Sequence, residues 1–427
     1  MKHIFYLFLF ISVINASSLN ELVDYATNNS PLIKQAKADL KLASLKQKSK
    51  QVERFGEFNL VGDITRYNIE RTLAPLPPSA MKSPTPITTA KTIYSIGLNY
   101  SVPLFTGFAQ TRDIEISKIA KSLSNIKVKL TKEEIAYNVK SLYLTVLSLK
   151  AILRAQNSYV NALNSLKKIV KQDVILGKKA EVDLLKIEQE IEMAKVDREL
   201  TKSNIEIAKA SLSVVVGKKV GKLKPIKVRV KRDRYSINSL LNRVANLSKI
   251  QAEDLAIAKS NKVIQKANAA NYPQIRLNGY IGKNYGKDIK TDEWDNKTLW
   301  QVGVKMQYNV VDFGKRDLNI QQAKVAKLKA SIKKQQTILN VKKQLIEAVS
   351  KIKLSYQEYL GNTATLRLAK KAASIEEVRY KNGVSTINDL LLAKAQAQLA
   401  AAKSIKSRYD YKKSKYYLDY VLEVGAR

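Results

Sequence analysis

The sequence of 427 residues has no cysteine and a single histidine, His3. His3 falls in a segment that reads as a cleaved export signal, so the mature chain is expected to hold neither residue. That excludes thiol nucleophiles, the commonest general base, thiolate and imidazole zinc sites, iron–sulfur clusters and disulfides. Only carboxylates, Lys, Tyr and hydroxyls remain for catalysis, and the chain reads as no enzyme, with no cofactor and no metal. Proline is scarce too: five of nine lie within 68–92, and none in 104–224 or 274–427. An interior proline costs a helix roughly 3 kcal/mol, so these blocks permit very long helices. Glycine is as sparse there, with Gly177 alone between Gly107 and Gly217. Acidic residues are in deficit, 37 against 75 Lys and Arg, for a net charge of +38. Such a balance suits nucleic acid, an acidic membrane surface or anionic cargo.

The N-terminus supplies an address. Lys2 and His3 precede the apolar run Ile4–Ile11, and Val13-Ile14-Asn15-Ala16 ends on a small residue suited to cleavage. Residues 1–16 are therefore expected to be a signal peptide. The run is too short for a helix that spans a bilayer, which takes about 20 residues, and no later stretch supplies one. No cysteine near Ala16 offers a site for an N-terminal lipid anchor.

Apolar residues recur at helical spacing through Ile135, Val139, Leu142, Val146 and Leu149. One helix is expected to about residue 172, a turn at Gly177, and a second helix over about 182–214. Residues 315–424 repeat the plan around Gly383, with Gly361 as an interruption. Subtraction makes the repeat explicit. Ile33, Phe55, Leu60 and Gly62 match Ile250, Tyr272, Leu277 and Gly279; further on, Gly177 and Asp183 match Gly383 and Asp389. Each copy reads as helix, strand, loop, strand, long helix, turn, helix. The first copy covers 17–212, a linker 213–236, and the second copy 237–427.

Four runs of about ten residues alternate in the manner of a strand. Phe58, Leu60, Gly62 and Ile64 form one apolar face; Tyr94, Ile96, Leu98, Tyr100 and Val102 form the next. Ile275, Leu277, Gly279 and Ile281 follow, then Trp300, Val302, Val304, Met306 and Tyr308. Such alternation also suits a soluble sheet with one face on a core. The export signal and the length of the helices favour tilted membrane strands instead. Backbone in a bilayer must be fully paired, so a spanning sheet closes, and small barrels have about eight strands or more. Four strands do not close alone, whereas a three-fold assembly brings twelve.

Several landmarks in order then resemble the TolC-like outer membrane efflux protein family, also called outer membrane factors. They are Leu19-Asn20-Glu21-Leu22 before Asn29-Ser30-Pro31, Tyr100 to Gly107 at a strand end, and Gly177 through Asp183-Leu184-Leu185. Tyr272-Pro273-Gln274-Ile275 and Gly383 through Asp389-Leu390-Leu391 with Ala395 complete the set. The resemblance spans nearly all of the mature chain. It implies an α+β membrane protein: a homotrimer with a twelve-stranded β-barrel, four strands per chain, in outer membrane lipid, continued by a long periplasmic α-helical barrel. It also implies partners, a periplasmic adaptor (membrane fusion) protein and an inner-membrane transporter, and a passive exit duct for efflux or type I secretion. Residues 68–92 and 286–298 are the expected external loops.

The matched Asp183 and Asp389 are the candidate gate, each six residues after a tip glycine. Family resemblance suggests that acids near this constriction shape ion passage; an acid early in a helix also simply complements the helix dipole. Tyr380, three residues before Gly383, is placed to bond across the tip. Gly177 and Gly383 allow tight turns that an adaptor could touch, or serve as ordinary helix stops. Leu392 is apolar where some relatives carry a second acid, and Lys178, Lys179 and Lys381 crowd the same end. The alternative reading is a basic coiled-coil structural or nucleic-acid-binding protein. It leaves the signal and the strands without a role, and no nucleic acid is expected as a partner.

Overall fold

The structure, a computed structural model, describes residues 17–79 and 87–426. The expected signal peptide, with His3 and Ala16, lies outside the described residues, as do Pro84 and Pro86. In chain order the elements are α1 (Leu19–Asn29), α2 (Pro31–Val52), β1 (Glu57–Thr72), β2 (Thr89–Phe105), α3 (Ala109–Ile175) and α4 (Glu181–Val216). Then come α5 (Ile237–Asn242), α6 (Ser248–Asn268), β3 (Gln274–Lys287), β4 (Trp294–Gln307), α7 (Lys315–Lys381) and α8 (Ile387–Val421). The chain divides into two compact units. Among the described residues, one comprises 17–38, 126–251 and 335–426, the other 39–79, 87–125 and 252–334.

The first unit is helical. α3 and α7, each 67 residues or about 100 Å at 1.5 Å per residue, begin in the second unit and enter the first at residues 126 and 335. Gly361 does not interrupt α7: a Cβ there would meet nothing within 4 Å, and the roughly 1 kcal/mol that glycine costs a helix is absorbed by the turns on either side. Local chemistry sets the shorter helices. Ser18 and Glu21 form a reciprocal capping box at α1, and Ser30 Oγ accepts from Ile33 N ahead of Pro31, whose fixed φ suits a first helical turn.

The apolar faces collect into separate cores. Leu22, Val23 and Ile33 pack with Ile135, Val139 and Tyr143 of α3, Leu212 and Val216 of α4, and Val220 and Leu223 of the linker. A second core gathers Val244, Leu247 and Ile250 against Val341, Leu345 and Ile352 of α7 and Tyr411, Leu418 and Val421 of α8. Val160, Leu163, Ile187, Ile191, Tyr380, Ile387 and Leu390 form a third beneath the turns at Gly177 and Gly383.

The second unit carries one antiparallel sheet in the order β1-β2-β3-β4. Residues directly opposite in such a ladder share a face. The register aligns Phe58, Tyr100, Gly279 and Val302 in one row and Leu60, Leu98, Ile281 and Trp300 in another. Phe58 and Trp300 are 76% and 72% exposed, so the rows make an apolar face with nothing over it among the described residues. Toward one end that face turns polar at Lys283 and Thr298. The opposite face aligns Asn59, Asn99, Tyr280 and Gln301, then Asp63, Ser95, Asn284 and Lys297.

The strands are 14 to 17 residues long, not the ten or so that alternation suggests. The connections are correspondingly shorter than expected, residues 73–88 and 288–293 instead of 68–92 and 286–298. In β1 the apolar Tyr67 and Ile69 fall on the opposite parity from Phe58 to Ile64, at a register shift between Arg66 and Arg71 beyond which pairing continues; β3 and β4 stay paired without a shift out to Lys287 and Trp294.

Candidate functional site

The sequence candidates converge on the turns that join α3 to α4 and α7 to α8. Gly177 and Gly383 have φ of +69° and +75°, the left-handed region that glycine enters without penalty. Each ends its helix with the same pair of bonds. Lys178 N donates to Asp173 O at 2.7 Å and Gly177 N to Val174 O at 3.0 Å; Val384 N and Gly383 N donate to Arg379 O and Tyr380 O at 2.8 and 3.1 Å. These bonds satisfy carbonyls that a helix end leaves free. A Cβ at either glycine would meet nothing within 4 Å, so the requirement is one of backbone angle and not of space.

Asp183 and Asp389 occupy matching positions but make different contacts. Asp389 belongs to a capping box: Thr386 Oγ1 donates to its Oδ2 at 2.7 Å, Thr386 N donates to the same oxygen at 3.1 Å, and Asp389 N donates to Thr386 Oγ1 at 3.2 Å. The hydroxyl and amide of Thr386 hold this carboxyl below the usual carboxylate range. In the first copy the position of Thr386 is Ala180, which has no capping hydroxyl. Asp183 instead accepts from Tyr380 Oη at 3.3 Å.

Tyr380 is the centre of the tip. Its ring packs in the core with Ile387 and Leu390, 4% exposed, and Lys179 Nζ lies 4.2 Å from the ring centroid. Lys179 also donates to Tyr380 O at 3.4 Å. Burial, and then the charge of Asp183, push the phenol above its usual range, so it stays a protonated donor. The first copy has Val174 at the matching position, so no tyrosine reaches Asp389 from there. Lys381 is drawn aside to Glu377 at 3.3 Å, while Lys178 is exposed.

Two features escaped the reading of the sequence. The Thr386-x-x-Asp389 box was visible as a capping motif, and its absence at Ala180 was the signal that the two acids would part ways. The other is a cavity of about 450 Å³ flanked by α3, α4 and α8, where Tyr159 Oη donates to Glu190 Oε1 at 2.8 Å beside Met193, Leu392 and Leu399. No spacing rule reports a cavity among three distant segments. Among the described residues no group of three or more His, Asp or Glu is arranged to hold a metal ion, and no helix is long and apolar enough to cross a membrane.

Comparison with known proteins bears on this geometry. The profile of a family described as outer membrane efflux protein matches residues 22–218 and 240–422. Nodulation protein T of Rhizobium leguminosarum bv. trifolii is 20% identical over 301 residues, which cover 68% of this chain and 64%, less than two thirds, of that protein. Among solved structures, the CmeC outer membrane channel of Campylobacter jejuni superposes with a TM-score of 0.79 at 18% identity, over 95% of this chain and 86% of that one. The outer membrane protein VceC of Vibrio cholerae gives 0.77 at 14% identity, over 95% and 96%.

Proposed function

This chain belongs to the outer membrane efflux protein family, and on that premise we propose that it is the exit duct of a tripartite efflux or type I secretion assembly. It sits in the outer membrane with a long helical extension into the periplasm, and conducts substrate passively. Energy comes from an inner-membrane transporter and reaches the duct through a periplasmic adaptor. The carrying observation is the sheet: matched apolar rows lie exposed on one face, polar rows on the other, and β1 and β4 each keep one unpaired edge. A spanning sheet with free edges is untenable in hydrocarbon, and three copies joined edge to edge remove all of them. The duct is accordingly a homotrimer with a twelve-stranded barrel.

At the periplasmic end the turns at Gly177 and Gly383 form the adaptor contact, and Asp183, Asp389 and Tyr380 line the constriction. The Tyr380–Asp183 bond supports assigning it to the closed state, since it joins the tip of α7 to the start of α4. The test has two stages. Membrane fractionation followed by gels with and without heating is expected to place the protein in outer membranes as a heat-sensitive trimer, and purified protein to conduct in planar bilayers. Recovery as a soluble monomer after osmotic shock would sink the reading. Periplasmic cross-linking from residues beside 177 and 383 then identifies the adaptor.

A further inference from the structure

The linker between the two helical halves carries a charge that conduction through a lumen does not explain. From Lys218 to Arg234 it holds nine Lys and Arg against one acid, Asp233. It has almost no regular structure, yet it is tied down at several points. Val220 N donates to Ser213 Oγ at 3.0 Å, Ser17 bridges to Leu223 through bonds of 2.9 and 3.0 Å, and Tyr143 Oη donates to Lys224 O at 2.6 Å. Further along, Tyr411 Oη bonds Lys231 O, and Lys415 Nζ holds Asp233 at 2.6 Å. Anchored in this way, the segment turns Val220, Leu223, Ile226, Val228 and Val230 inward, and all nine cationic side chains are exposed.

These charges are mostly uncompensated. Glu21 lies 3.8 Å from Lys224, and the other eight cations form no ion pair among the described residues, Lys231 merely lying near Asp233. Lys218 rests over the ring of Tyr25 at 3.7 Å. Lys150 lies close by: burial first, and then Lys209, Arg154 and Lys222 against the opposing charge of Glu206, depress its ammonium.

The arrangement selects among anionic ligands. Burial alternates from Ile226 to Lys231, so Lys227, Arg229 and Lys231 share the outward side and, at about 6.6 Å per two residues of extended chain, form a row instead of converging on a point. A row suits repeated anions along a polymer and not one small ion. The outward side presents no large apolar group, whereas protein interfaces bury an apolar or aromatic centre and exclude charge from it. We propose that residues 218–234 bind a hydrated, carboxylate-bearing polymer of the periplasm, the peptide-substituted glycan of the cell wall, by multivalent ion pairing. The proposal takes its periplasmic location from the function proposed above.

The test uses the full-length protein in detergent and the variant K227Q/R229Q/K231Q. These side chains face solvent, and Gln preserves the backbone anchors. Wild-type protein is expected to sediment with purified sacculi at low salt and to be released as salt shortens the Debye length to about 8 Å near 0.15 M and about 3 Å at 1 M. The variant is expected to lose roughly tenfold or more in retention, and sacculi whose stem carboxyls have been amidated to retain neither protein. Equal retention of variant and wild type, retention insensitive to salt, or wild-type binding to acidic vesicles but not to sacculi would each overturn the proposal. Conductance of the same preparations in bilayers keeps the two readings apart. A variant that conducts normally but no longer sediments separates wall binding from the duct, whereas wild type that sediments without conducting undercuts the duct and leaves the wall site standing.

Discussion

Replacing Tyr380 with Phe removes one hydroxyl and almost nothing else. The ring stays in its core beside Ile387 and Leu390, and the Lys179 ammonium keeps an aromatic face 4.2 Å away. What is lost is the bond to Asp183. A bond from a neutral donor to a carboxylate can contribute about 1.5–3 kcal/mol, but 3.3 Å is long and the site is only partly buried, so about 1 kcal/mol per chain is the appropriate magnitude. If the proposed trimer opens its three tips together, about 3 kcal/mol is removed from the proposed closed state, roughly a hundredfold in the open-to-closed ratio. Single-channel recording in planar bilayers reads that ratio directly. Asp183→Ala supplies the control through a double-mutant cycle: once either partner is gone, removing the other should add little. Wild-type open probability in Tyr380→Phe, or effects that simply add, would refute a latch at this bond.

Thr386→Ala should cost about 1 kcal/mol from the lost N-cap of α8, measured as a lower unfolding midpoint, whereas the matching position already carries Ala180 and loses nothing. The sheet faces should respond oppositely to one charge. Val302→Lys puts an ammonium on the exposed apolar face at a cost of about 2–4 kcal/mol at membrane depth and should reduce outer membrane assembly, while Gln301→Lys on the other face should assemble normally. A third expectation concerns alkali. Burial and then the charge of Glu21 raise the Tyr143 phenol from 10.0 to about 12. A raised acid stabilises the fold fully below its unfolded value, so this contribution is complete below about pH 10 and lost as pH climbs through about 12. Circular dichroism melts of the detergent-solubilised protein should show that decline in wild type and a shallower one in Tyr143→Phe; equal slopes would contradict it.

The legible parts of this molecule were those written in local chemistry. Missing proline marked the long helices, Gly177 and Gly383 marked their turns, and alternation marked the face that Leu60, Leu98, Ile281 and Trp300 share. What stayed hidden depended on pairing across distance. The upper part of β1 keeps its partner after its alternation has failed, because backbone bonds do not consult side-chain polarity. Gly361 looked like a break, but an isolated glycine is a small penalty in a helix of 67 residues. At the tip, matching in sequence concealed a divergence of role. Two acids aligned by subtraction part company because one copy has a threonine and the other an alanine three residues earlier, and a tyrosine from the far end of α7 takes up the carboxylate left free.

The open sheet also has a consequence for biogenesis. A lone chain released into the periplasm would present two unpaired strand edges and a broad greasy surface at once, the combination that drives indiscriminate aggregation. The helices have their own cores, built from segments far apart in sequence, whereas in the proposed trimer the sheet has no acceptable resting place until its neighbours and the bilayer are present together. For the proposed duct, export would therefore end in a race between assembly and precipitation, and escort of the sheet during transit would be as much a condition of the finished assembly as any residue that lines it.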